Sequence, residues 1–139
     1  VLYLPSTDGK HKTLNKNKGG LMKSIKDKIK NVNTKFKSIL DIPIVTSYDD
    51  ADVQGLLAIQ GTELKIKIFV NNIQFHFRSD HKFYGLKPKT SAEAMQLVIE
   101  HEYVHAIMIL IFESEHLGHN EFFMYLAKHL FGHSSMEVK

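Results

Sequence analysis

The sequence predicts an α+β fold: an N-terminal basic amphipathic helix, a small antiparallel β-sheet, a long central helix and a C-terminal helix. Three observations predict it. Apolar residues recur at spacings of three and four over Leu21–Leu40, they alternate with polar residues over Leu64–Ile68 and Ile73–Phe77, and Ala92–Phe112 runs without Pro or Gly behind a helix-capping pair.

Residues 1–20 carry Pro5, Ser6, Thr7, Asp8 and Gly9 and then a Lys/Asn/Gly mixture with no apolar period, which reads as a flexible basic lead-in to a single domain over residues 21–139. Val1–Leu4 is too short for a signal-peptide core, and a start at Val rather than Met reads as a trimmed or processed end. The first helix places Leu21, Met22, Ile25, Ile29, Val32, Phe36, Ile39 and Leu40 on one stripe, with lysines mostly on the other faces. Pro43 ends it, because proline lacks an N–H and drives the preceding residue toward extended geometry.

Ile42–Ser47 and Val53–Gln60 are short candidate strands separated by the turn-prone Asp49-Asp50. Leu64, Ile66 and Ile68 alternate with Lys65 and Lys67, and Ile73, Phe75 and Phe77 alternate with Gln74, His76 and Arg78, the period-two signature of half-buried strands. Asn71-Asn72 between them is expected as a hairpin turn, since Asn tolerates positive φ. After a loop with Gly85 and Pro88, Thr90 and Glu93 form a capping box that opens the long helix. Gly118 breaks the pattern, and Phe122–Phe131 reads as a last helix stopped by Gly132.

Composition narrows the function classes. The chain has 139 residues, 43% of them hydrophobic and 24% charged, as in an ordinary globular domain with a real core. Its longest apolar run, Ala106–Phe112, is far below the roughly 20 residues a membrane-spanning helix needs. With no Cys, disulfide scaffolds, iron–sulfur sites and thiolate zinc ribbons are excluded. Charge is uneven: residues 1–40 carry +8 and residues 41–139 carry −5.

The central helix contains His101-Glu102-Tyr103-Val104-His105, an H-E-x-x-H pattern. Four residues of α-helix turn about 400°, so His101 and His105 leave one face a turn apart and both imidazoles reach one metal ion. Glu102 lies roughly 100° around from His101, placed to hold a water without ligating the ion. Zinc with three protein ligands and an open position brings a bound water's pKa toward about 7 and polarises a carbonyl, while the Glu carries the proton to a leaving amine.

Chance gives this pattern in about 3% of chains of this composition, so its surroundings matter. The helix is apolar nearly all round, from Met95 to Phe112, and a buried helix must satisfy Glu100, His101, Glu102 and His105; a metal does that where solvated surface histidines would not be expected. A third ligand is required. His119 follows Gly118, where the chain turns back, and is the first choice; His116 is the second. His129 and His133 read as surface histidines near a helix C-terminus, and no spacing argument favours His11, His76 or His81.

These residues resemble the SprT/Spartan-like family of zinc metalloproteases, in which a basic helix, a small antiparallel sheet and an H-E-x-x-H helix precede a third His followed by an aromatic. Thirteen residues separate His105 from His119, and Gly118-His119-Asn120-Glu121-Phe122-Phe123 is similar to the family's Gly-His-x-x-Glu-Phe pattern. The resemblance covers nearly the whole chain. It implies a zincin-like minimal metalloprotease with His101, His105 and His119 as ligands of one Zn2+, Glu102 as general base, and DNA-bound or DNA-crosslinked proteins as substrates. By the same resemblance it implies an intracellular, nucleus- or nucleoid-associated protein; separately from the resemblance, a monomer is expected.

Two departures stand out. Glu121 follows His119 by two residues rather than three, with Phe122 third and Phe123 in the aromatic place. The cysteine-based zinc subdomain with which many members hold DNA has no counterpart in a chain without Cys. Lys10, Lys12, Lys16, Lys18, Lys23, Lys26, Lys28 and Lys30 read either as a sequence-independent, salt-sensitive phosphate interface for DNA or as a solvated lysine face that keeps the protein soluble. Two other readings are an ImmA-type regulatory metallopeptidase that cleaves a repressor, in which an acidic third ligand is commoner, and a non-catalytic basic DNA-binding module with a structural zinc.

Overall fold

The computed structural model describes residues 2–5, 42–61, 63–112 and 118–139. Among them the α+β expectation holds: four strands, β1 (Leu2–Pro5), β2 (Ile44–Ser47), β3 (Gly55–Gln60) and β4 (Glu63–Phe69), and three helices, α1 (Val70–Arg78), α2 (Ser91–Leu110) and α3 (Glu121–Phe131). The expected basic helix over Leu21–Leu40, the eight N-terminal lysines and His116 lie outside the described residues. No helix among those described is long and apolar enough to cross a membrane.

The sheet has the order β1-β3-β4-β2 and is mixed, not antiparallel as the sequence predicts. β3 and β4 form the hairpin, with Gln60 opposite Glu63 and Gly61 supplying the positive φ its turn needs. β2 lies parallel to β4, with Ile44 opposite Ile66 and Ser47 opposite Phe69. The reason is connectivity: β2 does not turn back on β3, which pairs instead with β1 and β4. Leu2–Pro5, at the head of the expected lead-in, is strand β1.

Alternation in β4 survives as predicted: Ile66 and Ile68 are buried and Lys65 is exposed. The second alternating stretch does not form a strand. Val70, Ile73 and the half-buried Phe77 share one face at helical spacing, while Phe75 is 58% exposed, so the segment is helix α1. Asn71 and Asn72 open that helix rather than a hairpin, and their side-chain amides donate to the carbonyls of Tyr48 and Ala51, tying α1 to the β2–β3 connection.

Helix α2 begins at the predicted cap. Thr90 Oγ1 accepts from Glu93 N at 3.1 Å, and the Glu93 carboxylate accepts from Lys89 N at 2.6 Å. It packs on β3, β4, α1 and α3 and is the centre of the molecule. Its buried residues Ala94, Val98, Val104, Ala106, Ile107 and Met108 join Leu57, Ile66 and Ile68 of the sheet, Ile73 of α1 and Phe123 and Leu126 of α3 in one core. Gly55 makes the closest approach possible: a Cβ there would lie 2.7 Å from Val98 Cγ1 and 3.6 Å from Glu102 Cγ. Thus β3 is set directly against the chemically loaded turn of α2.

Candidate metal centre

Three elements build the site. The buried turn of α2 supplies His101, Glu102 and His105, all almost fully shielded from solvent. The position just before the N-cap of α3 supplies His119, also buried. Asn120 follows as the N-cap of α3, its Oδ1 accepting from Phe123 N at 2.9 Å. This cap fixes the backbone immediately after His119 and the Phe123 ring together. That ring lies 4.9, 4.6 and 4.7 Å, centroid to centroid, from His101, His105 and His119, forming an apolar wall behind all three imidazoles.

The three histidines that the sequence singles out meet at one point. His119 Nε2 lies 3.0 Å from His101 Nε2 and 3.1 Å from His105 Nε2, and the candidate donor atoms all fall within 4.8 Å of one another. Tetrahedral zinc with Zn–N of about 2.0–2.1 Å separates its nitrogens by roughly 3.3 Å, so the two separations at His119 lie within a few tenths of an ångström of that spacing. An imidazole Nε2 offers one in-plane site, a hydrogen or a lone pair. His119 Nε2 nevertheless faces two other ring nitrogens, and a cation at their common focus accepts a lone pair from each. The donor set therefore fits a metal ion of the kind imidazole nitrogens suit: zinc, copper, iron or nickel.

Glu102 provides the second sign. Both its carboxylate oxygens are buried with no hydrogen-bond partner among the described residues. Burial pushes the carboxyl well above the usual carboxylate range. An acid kept this way in a core is unfavourable unless it serves a task that the packing does not reveal.

Two further residues lie at this centre that the sequence does not place beside His101. The Tyr84 ring stacks on His101 at 4.3 Å with an interplanar angle of 13°. Burial, and after it the Glu102 carboxylate, push the Tyr84 hydroxyl well above its ordinary value, and the hydroxyl has no hydrogen-bond partner among the described residues. Tyr84 also stacks on His133 at 5.2 Å. His133 is wholly buried rather than a surface histidine, and its Nε2 donates to Glu100 Oε1 at 3.0 Å. His129 is exposed, as expected.

Tyr84 has φ +56°, a conformation that costs a bulky residue on the order of 1–2 kcal/mol. The segment after α3 holds it there. Ser134 N and Ser135 N donate to Tyr84 O, and Tyr84 N donates to Glu137 O. The next residue, Gly85, with φ +85°, stands where a Cβ would come within 1.9 Å of Ser134 Oγ.

The chain has no significant match among protein-family models, curated proteins or solved structures. The α+β fold and the buried His101–His105–His119 cluster, close enough to bind one metal ion, are thus established from the chain's own geometry.

Proposed function

We propose that this protein is a zinc-dependent endopeptidase of the SprT/Spartan-like kind. The observation that carries the reading is the convergence of the His101, His105 and His119 Nε2 atoms beside a buried carboxylate with no hydrogen-bond partner among the described residues. His101, His105 and His119 would hold one zinc. Zinc bound by three imidazoles supplies an acidified water and a polarised carbonyl. Glu102 accepts the proton of the attacking water on a carboxylate oxygen and returns it to the nitrogen of the departing amine. Phe123 keeps the imidazoles in place and excludes water from behind them, which strengthens every charge interaction in front.

DNA-bound proteins are the substrates that the resemblance favours, with the lysines between Lys10 and Lys30 as the phosphate-contacting set. Contacts of that kind release counterions, so DNA stimulation of cleavage falls steeply with salt.

Substitution of Glu102 by Gln separates base from ligand. We expect E102Q to retain zinc at the wild-type level and to lose proteolysis by a factor of about 10² or more. Cleavage of a protein substrate, with and without DNA, at unchanged rate in zinc-loaded E102Q would remove Glu102 from the mechanism.

A further inference from the structure

We infer that Tyr84, backed by the Glu100–His133 pair, is a positioning residue that fixes the His101 imidazole for metal binding. This inference rests on the metal-site reading above and adds the device that orients one ligand. Tyr84 stacks on two imidazoles in nearly parallel planes, at 13° to His101 and 11° to His133. The outer imidazole cannot drift, because its Nε2 is held at 3.0 Å by Glu100. Glu100 precedes His101 in the same turn of α2. The stack therefore begins and ends on one helix: Glu100 holds His133, His133 backs Tyr84, and Tyr84 lies on His101.

Backbone geometry points the same way. Tyr84 sits at φ +56° between carbonyl and amide bonds from residues 134, 135 and 137. Phe83 bridges to both Leu86 and Val138, and Lys82 and Lys139 exchange both backbone hydrogen bonds. The chain end is thus tied to the loop before α2 over several residues, with Tyr84 at its centre. Strain maintained by this much surrounding structure marks a side chain whose placement matters. The placement here is face to face with a candidate ligand. Groups that orient metal-binding histidines typically change metal affinity ten- to a hundredfold, although they never touch the ion.

The ring, rather than the hydroxyl, makes the contact with His101, and this separates the variants. Zinc affinity by chelator competition is to be measured for wild type, Tyr84→Phe, Tyr84→Leu and Glu100→Ala. Cobalt(II) d–d spectra report ligand geometry, and circular dichroism of each metal-free protein reports folding. We expect Tyr84→Phe to match wild type. Tyr84→Leu should weaken zinc binding by about ten- to a hundredfold and alter the cobalt spectrum. Glu100→Ala, a change at a side chain only 17% exposed but outside the core, should weaken binding in the same direction and alter the spectrum similarly. Wild-type affinity and an unchanged spectrum in folded Tyr84→Leu or folded Glu100→Ala would overturn the inference. Equal losses in Tyr84→Phe and Tyr84→Leu would overturn it too, by assigning the effect to the hydroxyl. Should Tyr84→Leu fail to fold, Tyr84→Phe and Glu100→Ala decide. If wild type itself binds no zinc, the metal-site reading fails first, and this inference with it.

Discussion

Glu102 is where folding and chemistry conflict. A carboxylate with both oxygens buried and no partner among the described residues lowers the stability of the metal-free fold, and an amide of the same shape lowers it less. Metal-free E102Q should therefore be more stable than metal-free wild type by roughly 1 kcal/mol or more, a rise of a few degrees in melting temperature. Calorimetry at neutral pH with chelator present checks this; an unchanged or lower melting temperature would mean that the carboxylate is well satisfied in the fold. At this scale the sequence was informative wherever chemistry depends on local spacing. His101, Glu102 and His105 are fixed by helical period, and His119 by the turn at Gly118. Tyr84 and His133 were illegible because neither is near His101 along the chain; the stack is made by a loop and a chain end that only the tertiary fold brings together.

Elements with a capping signal were read correctly, whereas the short period-two pattern held in β4 and failed in α1. Thr90–Glu93 starts α2, and Gly132, at φ +74°, ends α3 where expected. Ile73–Arg78 alternates, but its buried face began earlier, at Val70, and the three-and-four spacing prevailed. The same logic gives a prediction for α3. Asn120→Ala should cost about 0.5–2 kcal/mol through the lost cap and should also weaken zinc binding, because His119 and Phe123 flank that cap. Chemical denaturation and zinc titration of the same variant test the two effects, and a stability loss with unchanged affinity would show that the cap does not position His119. Gly55→Ala tests the approach of β3 to α2. With Val98 Cγ1 2.7 Å and Lys67 O 3.1 Å from the new Cβ, it should destabilise by about 1–3 kcal/mol. A neutral result would mean that β3 can move away from Glu102 without loss.

For the molecule as a whole, strand order and direction were not legible, because pairing β2 parallel to β4 depends on contacts distant in sequence. The α+β class was legible, because each element's polarity pattern is local. Acid sensitivity is also a property of the whole fold. Burial, and after it the neighbouring His81, hold His76 below its ordinary value of 6.5. The folded state therefore binds this proton less readily than the unfolded chain does. Stability is intact above 6.5 and declines as pH falls from there through the lower folded-state value. In metal-free protein, His76→Gln should reduce the drop in melting temperature between neutral and mildly acidic pH. An identical drop would place the acid sensitivity elsewhere.

Metal content addresses the central claim most directly, by elemental analysis of wild type, His119→Ala and His116→Ala purified without added metal. The account predicts close to one zinc per chain in wild type and in His116→Ala, and its loss in His119→Ala. Properly folded wild type that holds no zinc even after zinc is supplied would contradict it.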